Sequence, residues 1–279
     1  MLKLFSSRPR QKAIEQPKKT AADELAEFVH VVPDPQNAFD VFPNAWSTAF
    51  DDVKTGGSFG GTKDSRITWL CEQLDLSGKT VLELGPLEAG HTYMLERAGA
   101  DVLAIEANKG SFLRCLIAKN HLDLKSRFML GNFETMDIPA QTYDLIVASG
   151  VLYHMTDPVA LLTKLSKASD SLFIWTHYFD PDFSIWNPGL KPDIDAGKWH
   201  YKNPETVETN EMTVRMVRQD YKQALEWSGF CGGTEDYSKW IYKEDLLNLL
   251  TALGYTSVDV SFDDPAHLHG PSFCVLATK

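Results

Sequence analysis

Short apolar segments alternate with amphipathic segments through the middle of the chain, and this alternation limits the possible folds more than any other feature. The spacing predicts helices over 92–98 and 111–121 and a third beginning at Pro158. It predicts strands over 80–84, 101–105, 127–130, 143–148 and 171–175. Strands separated by helices pair in parallel through right-handed crossovers. The sequence therefore predicts an α/β fold with a doubly wound, Rossmann-like sheet.

In such a sheet the ligand lies beyond the carboxyl ends of the strands. Glycines at these ends let the backbone approach a ligand, a carboxylate after the second strand can accept both hydroxyls of a ribose, and an amide beside an aromatic ring can recognise and cover adenine. The candidate cofactor residues at these ends are Glu83, Gly85, Pro86, Gly90, Glu106, Ala107, Asn132, Phe133, Ser149 and Gly150.

The loop VLELGPLEAG, residues 81–90, distinguishes between two adenosine cofactors. A dinucleotide needs G-x-G-x-x-G, because the central glycine lets the backbone approach the pyrophosphate. Leu87 occupies that central place between Gly85 and Gly90. S-adenosylmethionine has no phosphate, and the carboxylate of Glu83 suits its charged amino group. The loop therefore favours S-adenosylmethionine over NAD.

Charge and composition limit the partners and the compartment. The net charge is −11, although residues 1–20 carry six Lys or Arg against one Glu. The residues after this basic segment are strongly acidic overall. Because phosphate binding depends on a basic surface, we do not expect a nucleic-acid partner. The apolar runs are too short for a membrane span or a signal peptide, and the four cysteines form no CxxC pair. We expect a cytoplasmic protein with reduced cysteines, no membrane partner and no bound metal.

Four motifs in order resemble the class I S-adenosylmethionine-dependent methyltransferases: VLELGPLEAG, VLAIEAN, GNFETM and YDLIVASGVLYHMTDP. The flanking stretches GGSFGGTKDSRITWLCEQLDLSGKT and KWIYKEDLLNLLTALGYTSVDV look most like the branch that contains the tRNA wobble-uridine 5-oxyacetate carboxymethyltransferases. The resemblance implies a seven-stranded sheet and S-adenosyl-L-methionine as the cofactor.

The same branch implies roles for single residues. Lys54, Arg66 and Tyr153 match its functional positions, which assigns Arg66 to the cofactor and Lys54 to the substrate. An arginine of the branch that grips the carboxylate of carboxy-S-adenosylmethionine is replaced by Asp236 at the corresponding place. Plain S-adenosylmethionine and a small-molecule acceptor with an O or N nucleophile are therefore the leading interpretation. A tRNA wobble-uridine (carboxy)methyltransferase and a non-catalytic scaffold are the alternatives.

Histidines near the fourth and fifth strands are candidates for proton transfer, since imidazole titrates near neutral pH. His154 in GVLYH is the first candidate and His177 in WTHYF the second, with Tyr153 lining the methyl-transfer pocket. A structural role for His154, bonded to its own loop, is the alternative.

The remaining segments predict the domain organisation. We expect a disordered basic tail over 1–20, a helical cap and flap over 21–76 with a short helix at 21–30, a cofactor domain over 77–177 and 238–279, and an inserted substrate lid over 178–237. Tyr178, Trp186, Trp199 and Arg215 are the candidate substrate residues of the lid, with a small core of its own as the alternative for its rings. A helix over 211–227 would place Arg215 and Arg218 on one face. His267 and His269 are expected in a hairpin loop without a metal, and the oligomeric state is not predicted.

Overall fold

The structure is a computed structural model that describes residues 26–209, 212–227 and 229–279. The predicted basic tail, residues 1–20, lies outside the described residues. The predicted helix at 21–30 is wrong for its described part, because residues 26–30 contain no helix. The first helix in the described residues begins at Pro35, where Asp34 caps it by accepting a hydrogen bond from the backbone N–H of Gln36 at 2.8 Å.

Seven strands form one sheet. They are β1 Thr80–Leu84, β2 Asp101–Glu106, β3 Arg127–Leu130, β4 Leu145–Ser149, β5 Ser171–His177, β9 Ser257–Asp264 and β10 Ser272–Thr278. Their order across the sheet is β3-β2-β1-β4-β5-β10-β9. Four of the six neighbouring pairs are parallel, and the last strand, β10, runs antiparallel to both β5 and β9. The predicted α/β class and the seven-stranded sheet are confirmed.

Helices cover both faces of the sheet, because successive residues of a strand point to opposite faces. In β1, Val81 packs in the cluster beneath one helical layer, whereas Leu82 and Leu84 pack in the cluster beneath the other. The helices of the described residues are α1 Pro35–Phe39, α2 Ser65–Gln73, α3 Gly90–Arg97, α4 Lys109–His121, α5 Pro158–Ala168, α6 Lys191–Asp195 and α7 Lys243–Ala252.

A three-stranded antiparallel sheet lies in the inserted segment between β5 and α7. Its strands are β6 Glu205–Thr209, β7 Met212–Asp220 and β8 Tyr237–Ile241, in the order β6-β7-β8. β8 crosses the predicted boundary at residue 238, so the inserted unit extends to Ile241. The loop that holds His267 and His269 joins β9 to β10 as a hairpin, as predicted.

The helix predicted over 211–227 is wrong. Residues 212–220 form a strand in which Val214 and Met216 are buried and Arg215 between them is exposed. This alternation has a period of two, and pairing with strands on both sides overrides the spacing of the two arginines. Since residues three apart on a strand face opposite sides, Arg215 and Arg218 share no face; they pair separately with Asp245 and Asp220.

The N-terminal segment packs on the cofactor domain through aromatic rings. Phe39, Trp46 and Phe50 form a cluster with Ala89 and with α4. A bridge between Thr48 and Phe59 closes the segment into a loop that returns towards α2. The loop therefore lies beside the β1–α3 turn.

Candidate active site

A cavity of about 340 Å³ opens at the carboxyl ends of β1, β2, β4 and β5. Its walls come from three parts of the chain: the strand ends, the N-terminal loop and the inserted segment. The lining residues are Thr48, Phe59, Arg66, Gly85, Pro86, Leu87, Glu88, Gly90, His91, Glu106, Ala107, Asn108, Phe133, Ser149, Gly150, Val151, Tyr153, His154, Met155, Trp175, Cys231, Gly233 and Thr234.

The β1–α3 loop reaches the cavity through left-handed backbone conformations. Gly85, Leu87 and Ala89 have φ values of +64°, +54° and +62°. At Gly85 a Cβ atom would lie 3.0 Å from the Val151 side chain, so glycine fits both the backbone and the space. At Gly90 a Cβ atom would lie 2.8 Å from the carbonyl carbon of Gly61, so a larger residue here would clash with the backbone of the N-terminal segment.

Two carboxylates at the strand ends have different surroundings. Glu106 lines the cavity and accepts hydrogen bonds from the backbone N–H groups of Asn108 at 2.8 Å and Leu87 at 3.3 Å. Burial raises the pKa of Glu106, and these backbone bonds oppose the shift. Glu83 does not line the cavity. Its buried carboxylate accepts a hydrogen bond from the Thr92 hydroxyl at 2.5 Å, and burial raises the pKa of Glu83 to about 7.

The groups around the ends of β3 and β4 suit a nucleoside base. Phe133 and Gly150 line the cavity, whereas Asn132 does not; its side chain accepts the backbone N–H of Glu134. The buried hydroxyl of Ser149 has no hydrogen-bond partner among the described residues, although it lies in the lining. A buried polar group without a partner points to a ligand that supplies one. With Glu106 placed for ribose hydroxyls, these residues fit an adenosine cofactor.

Arg66 lines the cavity, and its charge is already paired with Asp64. Its guanidinium donates to Asp64, at 2.9 Å from Nε, and lies 4.3 Å from the centre of the Trp175 ring. His91 also contacts Asp64 at 2.9 Å. Burial alone would raise the pKa of Asp64, but the bonds from Arg66 and His91 hold it well below its usual range. The carboxylate therefore balances the cationic guanidinium within the cavity wall.

Tyr153 and His154 line the cavity, whereas His177 lies behind Tyr153. Burial lowers the pKa of His154 to about 4, and its Nδ1 lies 2.9 Å from the Tyr221 hydroxyl. Burial raises the pKa of Tyr153, whose hydroxyl has no hydrogen bond within the described part of the chain. His177 donates from Nδ1 to the Gly270 carbonyl at 2.8 Å and stacks on Trp240. The ring centres of His177 and Tyr153 are 4.5 Å apart, and His177 does not line the cavity.

None of the five predicted substrate residues lines the cavity. Lys54 is exposed, and Arg215 is held by Asp245 at 2.8 Å and by the Tyr242 ring. Trp186 and Trp199 are buried in the inserted unit's own core with Phe179, Val217 and Trp240, and Tyr178 is buried against Phe273. Trp186 and Trp199 thus lie where the alternative put the rings, in a core that holds the insertion together, whereas Tyr178 belongs to the core of the sheet domain. Asp236 is also exposed and outside the lining, so its carboxylate does not face a cofactor there.

Sequence reasoning missed the residues that reach the cavity from distant segments. From the insertion come Cys231, Gly233 and Thr234, and from the N-terminal loop come Thr48 and Phe59. The paired glycines in FCGGT were a usable signal, because Gly233 has φ +106° and its Cβ atom would lie 2.8 Å from the His154 carbonyl oxygen. Trp175 could have been found by the same strand-end rule as Glu106.

Glu88 fastens the N-terminal loop to the cofactor domain. Its buried carboxylate accepts the backbone N–H groups of Ser47 at 2.9 Å and Thr48 at 2.6 Å, and it pairs with Arg114 at 3.1 Å. The loop carrying Thr48 and Phe59 is therefore held against the cavity by a charge-assisted cluster.

The strand order, the antiparallel last strand and a cavity fitted to adenosine define a class I S-adenosylmethionine-dependent methyltransferase fold. Comparison with known proteins agrees: residues 82–169 match the family described as Methyltransferase domain. The matched stretch runs from β1 to the end of α5 and spans less than half of the chain.

The chain is similar to two curated proteins over part of its length. It is 27% identical over 116 residues to a tRNA U34 carboxymethyltransferase of Campylobacter hominis, which covers 40% of this chain and 41% of that protein. The match to the protein of the same name in Campylobacter concisus is 26% over 117 residues. The chain thus matches well under half the length of these relatives.

Solved structures match over more of the chain. The N-terminal domain of EvdMO1, determined in the presence of SAH and D-fucose, has a TM-score of 0.63 at 20% identity and covers 88% of this chain and 94% of its own. The 1,6-didemethyltoxoflavin-N1-methyltransferase of Burkholderia thailandensis has a TM-score of 0.51 at 15% identity, over 79% of this chain and 78% of its own. At these identities the likeness establishes the fold alone.

Two other features bear on the site's surroundings. Within residues 26–209, 212–227 and 229–279, no helix is long and apolar enough to span a membrane. The same residues contain no group of three or more His, Cys, Asp or Glu placed to hold a metal ion.

Proposed function

We propose that the protein is an S-adenosylmethionine-dependent methyltransferase that acts on an oxygen or nitrogen of a small molecule in the cytoplasm. The observation that carries the proposal is one continuous cavity whose lining includes Glu106, His154 and two residues of the insertion, Cys231 and Gly233. A cavity with aromatic walls and a few convergent polar groups is typical of small-molecule sites.

Each part of the cavity has a distinct task in this proposal. Glu106, Phe133 and Ser149 would hold the adenosine, and the β1–α3 loop would hold the amino-acid portion. When bound, the cofactor supplies an electrophilic methyl group. The protein itself would orient the acceptor towards this methyl group and exclude water. These two effects are the main sources of rate for a displacement of this kind.

His154 and Tyr153 are suited to the acceptor end. Burial lowers the pKa of His154 to about 4, so its imidazole is neutral at pH 7 and offers a lone pair to the acceptor's proton, as a weaker base than an ordinary histidine. Because the pKa of Tyr153 is raised, its hydroxyl stays protonated and can donate a hydrogen bond to the acceptor. His177, held by the Gly270 carbonyl, keeps the tyrosine ring in place.

The charges of the lining favour plain S-adenosylmethionine over its carboxylated form. An extra carboxylate needs a cation, and the guanidinium of Arg66 is already balanced by Asp64. Separating that pair to serve a ligand would leave the Asp64 carboxylate buried with fewer partners.

Calorimetry with S-adenosylmethionine, S-adenosylhomocysteine and carboxy-S-adenosylmethionine tests the proposal. We expect the first two to bind and the third to bind at least about tenfold more weakly. Absence of binding by all three would refute an enzymatic role and favour a scaffold. Preference for the carboxylated form would overturn the argument from Arg66.

A tRNA wobble-uridine substrate is the second candidate, because both curated relatives are tRNA U34 carboxymethyltransferases. The net charge of −11 opposes it, since phosphate binding depends on basic surface. Incubation with unmodified tRNA and methyl-labelled cofactor decides between the two: label in the tRNA would establish this candidate and exclude a small-molecule acceptor as the sole substrate.

A further inference from the structure

The buried side chain of Glu88 connects two walls of the cavity. Glu88 belongs to the β1–α3 loop and is only 1% exposed. Its carboxylate accepts the backbone N–H groups of Ser47 and Thr48, which belong to the N-terminal loop, residues 46–61. Hydrogen bonds to a charged acceptor are stronger than those between neutral groups, and burial protects them from water. Glu88 is therefore a strong attachment point between the two loops.

Arg114 balances the charge at this attachment point. Its Nε atom lies 3.1 Å from the Glu88 carboxylate, and its guanidinium also donates to the Ser111 hydroxyl at 3.0 Å. Arg114 and Ser111 lie in the first half of α4, the helix that follows the strand ending at Glu106. Because a buried carboxylate without partners is strongly unfavourable, the pairing with Arg114 stabilises the attachment.

The attachment extends to the cavity through Phe59. The Phe59 N–H donates to the Ser47 carbonyl at 2.9 Å, and the Ala49 N–H donates to the Phe59 carbonyl at 2.9 Å. The Phe59 ring lines the cavity, and its centre lies 6.0 Å from the centre of the His91 ring in the first turn of α3. Glu88 therefore sets the position of Phe59 through the short segment to which Phe59 is bonded.

Glycines on both sides of Phe59 give this part of the loop backbone freedom. Gly56 has φ +77°, and a Cβ atom at Gly56 or at Gly60 would have no other atom within 4 Å. These two positions allow the backbone to turn and add no packing that would restrain it. Gly57, by contrast, packs on the Ser47 carbonyl, where a Cβ atom would clash. The contacts that hold Phe59 thus converge on the segment that Glu88 anchors.

We propose that the N-terminal loop is a cofactor lid and that Glu88 is the positioning residue that holds it closed. The inference rests on the proposed function, because the loop can act as a cofactor lid only if the cavity holds the cofactor. The cofactor enters or leaves when the hydrogen bonds from Ser47 and Thr48 to Glu88 break and Phe59 moves away from the β1–α3 loop. The cofactor lid covers the amino-acid portion, since that is the part held by the β1–α3 loop in the proposed function.

The dissociation rate of S-adenosylhomocysteine from the full chain tests this without a known acceptor. Labelled ligand is displaced by an excess of unlabelled ligand. Glu88→Gln keeps the size of the side chain and removes the charge shared by two backbone donors and Arg114, so we expect dissociation at least about tenfold faster. Phe59→Ala leaves Glu88 in place and removes the covering ring. It should also speed dissociation, by about threefold or more, which keeps the test informative if Glu88→Gln does not fold.

Asp51→Asn is the matched control. It makes the same change from carboxylate to amide within the same loop, but Asp51 is exposed and pairs with Lys63 at 2.9 Å on the surface. Because an exposed ion pair contributes little, dissociation should stay within about twofold of the wild-type rate. A rate that rises as much as in Glu88→Gln would show that any loss of charge in the loop has this effect, and would overturn the specific role of Glu88.

Hydrogen exchange supplies a measurement that a purely structural role would leave unchanged. In the wild type, S-adenosylhomocysteine should slow exchange of the backbone amides of residues 46–61, including Ser47 and Thr48. In Glu88→Gln the ligand should protect these amides less. Equal exchange in the free and ligand-saturated wild type would overturn the cofactor lid. A folded Glu88→Gln variant that releases the ligand at the wild-type rate would overturn the role of Glu88.

Calorimetry on the same samples separates the two levels of the argument. If S-adenosylhomocysteine does not bind the wild type, the proposed function fails and the cofactor lid fails with it. If it binds the wild type but neither Glu88→Gln nor Phe59→Ala changes its dissociation rate, only the cofactor lid fails.

Discussion

The sheet domain and the inserted unit contribute to one cavity by different means. The sheet domain presents Glu106 and Ser149 at the ends of regular strands, where the fold itself sets their positions. The inserted unit has a separate aromatic core and reaches the cavity through one turn, Cys231 to Thr234. The proposed cofactor half therefore follows from the fold class, whereas the proposed acceptor half depends on a segment outside the seven-stranded sheet.

The two units also treat their buried polar groups differently. In the sheet domain the carboxylates of Glu83, Glu88 and Glu106 each accept hydrogen bonds from hydroxyl or backbone donors, and the unpartnered Ser149 hydroxyl belongs to a residue of the cavity lining. In the inserted unit the indole N–H groups of Trp199 and Trp240 are buried without a partner in the described residues. Ring packing stabilises the insertion, so we expect removal of a buried ring to destabilise it most.

The largest expected effect is on the stability of the inserted unit. Trp186→Ala removes a ring that packs against Phe179, Trp199 and Trp240, and should lower the free energy of unfolding by about 3–5 kcal/mol. Urea denaturation measures this. Trp227→Ala, at a ring that is 65% exposed, is the control and should cost less than about 0.5 kcal/mol. Loss of S-adenosylhomocysteine affinity beyond about threefold in Trp186→Ala would contradict the separation of the two halves.

The next effect concerns the buried carboxyl of the sheet domain and depends on pH. The folded pKa of Glu83, about 7, exceeds its ordinary value of 4.5, so the folded state holds the proton more tightly. This contribution is fully present below pH 4.5 and is lost as the pH rises to about 7. The loss amounts to about 3 kcal/mol over that window.

Urea denaturation of the wild type and Glu83→Gln at several pH values measures that loss. The amide cannot ionise, so the stability of the wild type relative to the variant should fall between pH 4.5 and 7 and then level off. A difference that stays constant across this range would show that Glu83 ionises normally.

A third prediction tests the cofactor half directly. Glu106→Ala removes the carboxylate at the end of β2 and should weaken S-adenosylmethionine binding by about 10- to 100-fold, equivalent to one or two charge-assisted hydrogen bonds. Calorimetry measures the dissociation constant. Glu72→Ala, at an exposed carboxylate on α2, should bind as the wild type does. Equal affinities in the two variants would remove Glu106 from the cofactor site.

These differences explain which parts could be predicted from sequence. The span of β1 matches the predicted 80–84, because a strand buried in a parallel sheet is a short apolar run bounded by turns. The span of β3 matches the predicted 127–130 although β3 lies at the sheet edge, with Met129 and Leu130 exposed. β7 was mistaken for a helix, because its pairing with β6 and β8 spans long sequence separations that no local pattern records.

The candidate site divides in the same way. Strand-end residues such as Gly85, Glu106 and Gly150 can be picked out from the chain, since the sheet topology decides where they lie. Thr48, Phe59 and Gly233 reach the cavity only through tertiary packing. Trp186 was predicted to bind substrate, but it lies in the insertion's own core. The sequence alone does not distinguish a ring in a lid from a ring in a core.

The smallest expected effect lies at the junction of the two units. Gly233 has φ +106°, and its Cβ atom would press on the His154 carbonyl oxygen, so Gly233→Ala should lower the free energy of unfolding by about 1 kcal/mol or more. Gly60→Ala is the control, with φ −80° and no atom within 4 Å of the new Cβ, and should change stability by less than about 0.5 kcal/mol. Because Gly233 belongs to the acceptor half, Gly233→Ala should bind S-adenosylhomocysteine with wild-type affinity. Weaker binding, measured by calorimetry beside urea denaturation, would mean that the insertion's turn also shapes the cofactor half and that the division drawn between the two units is misplaced.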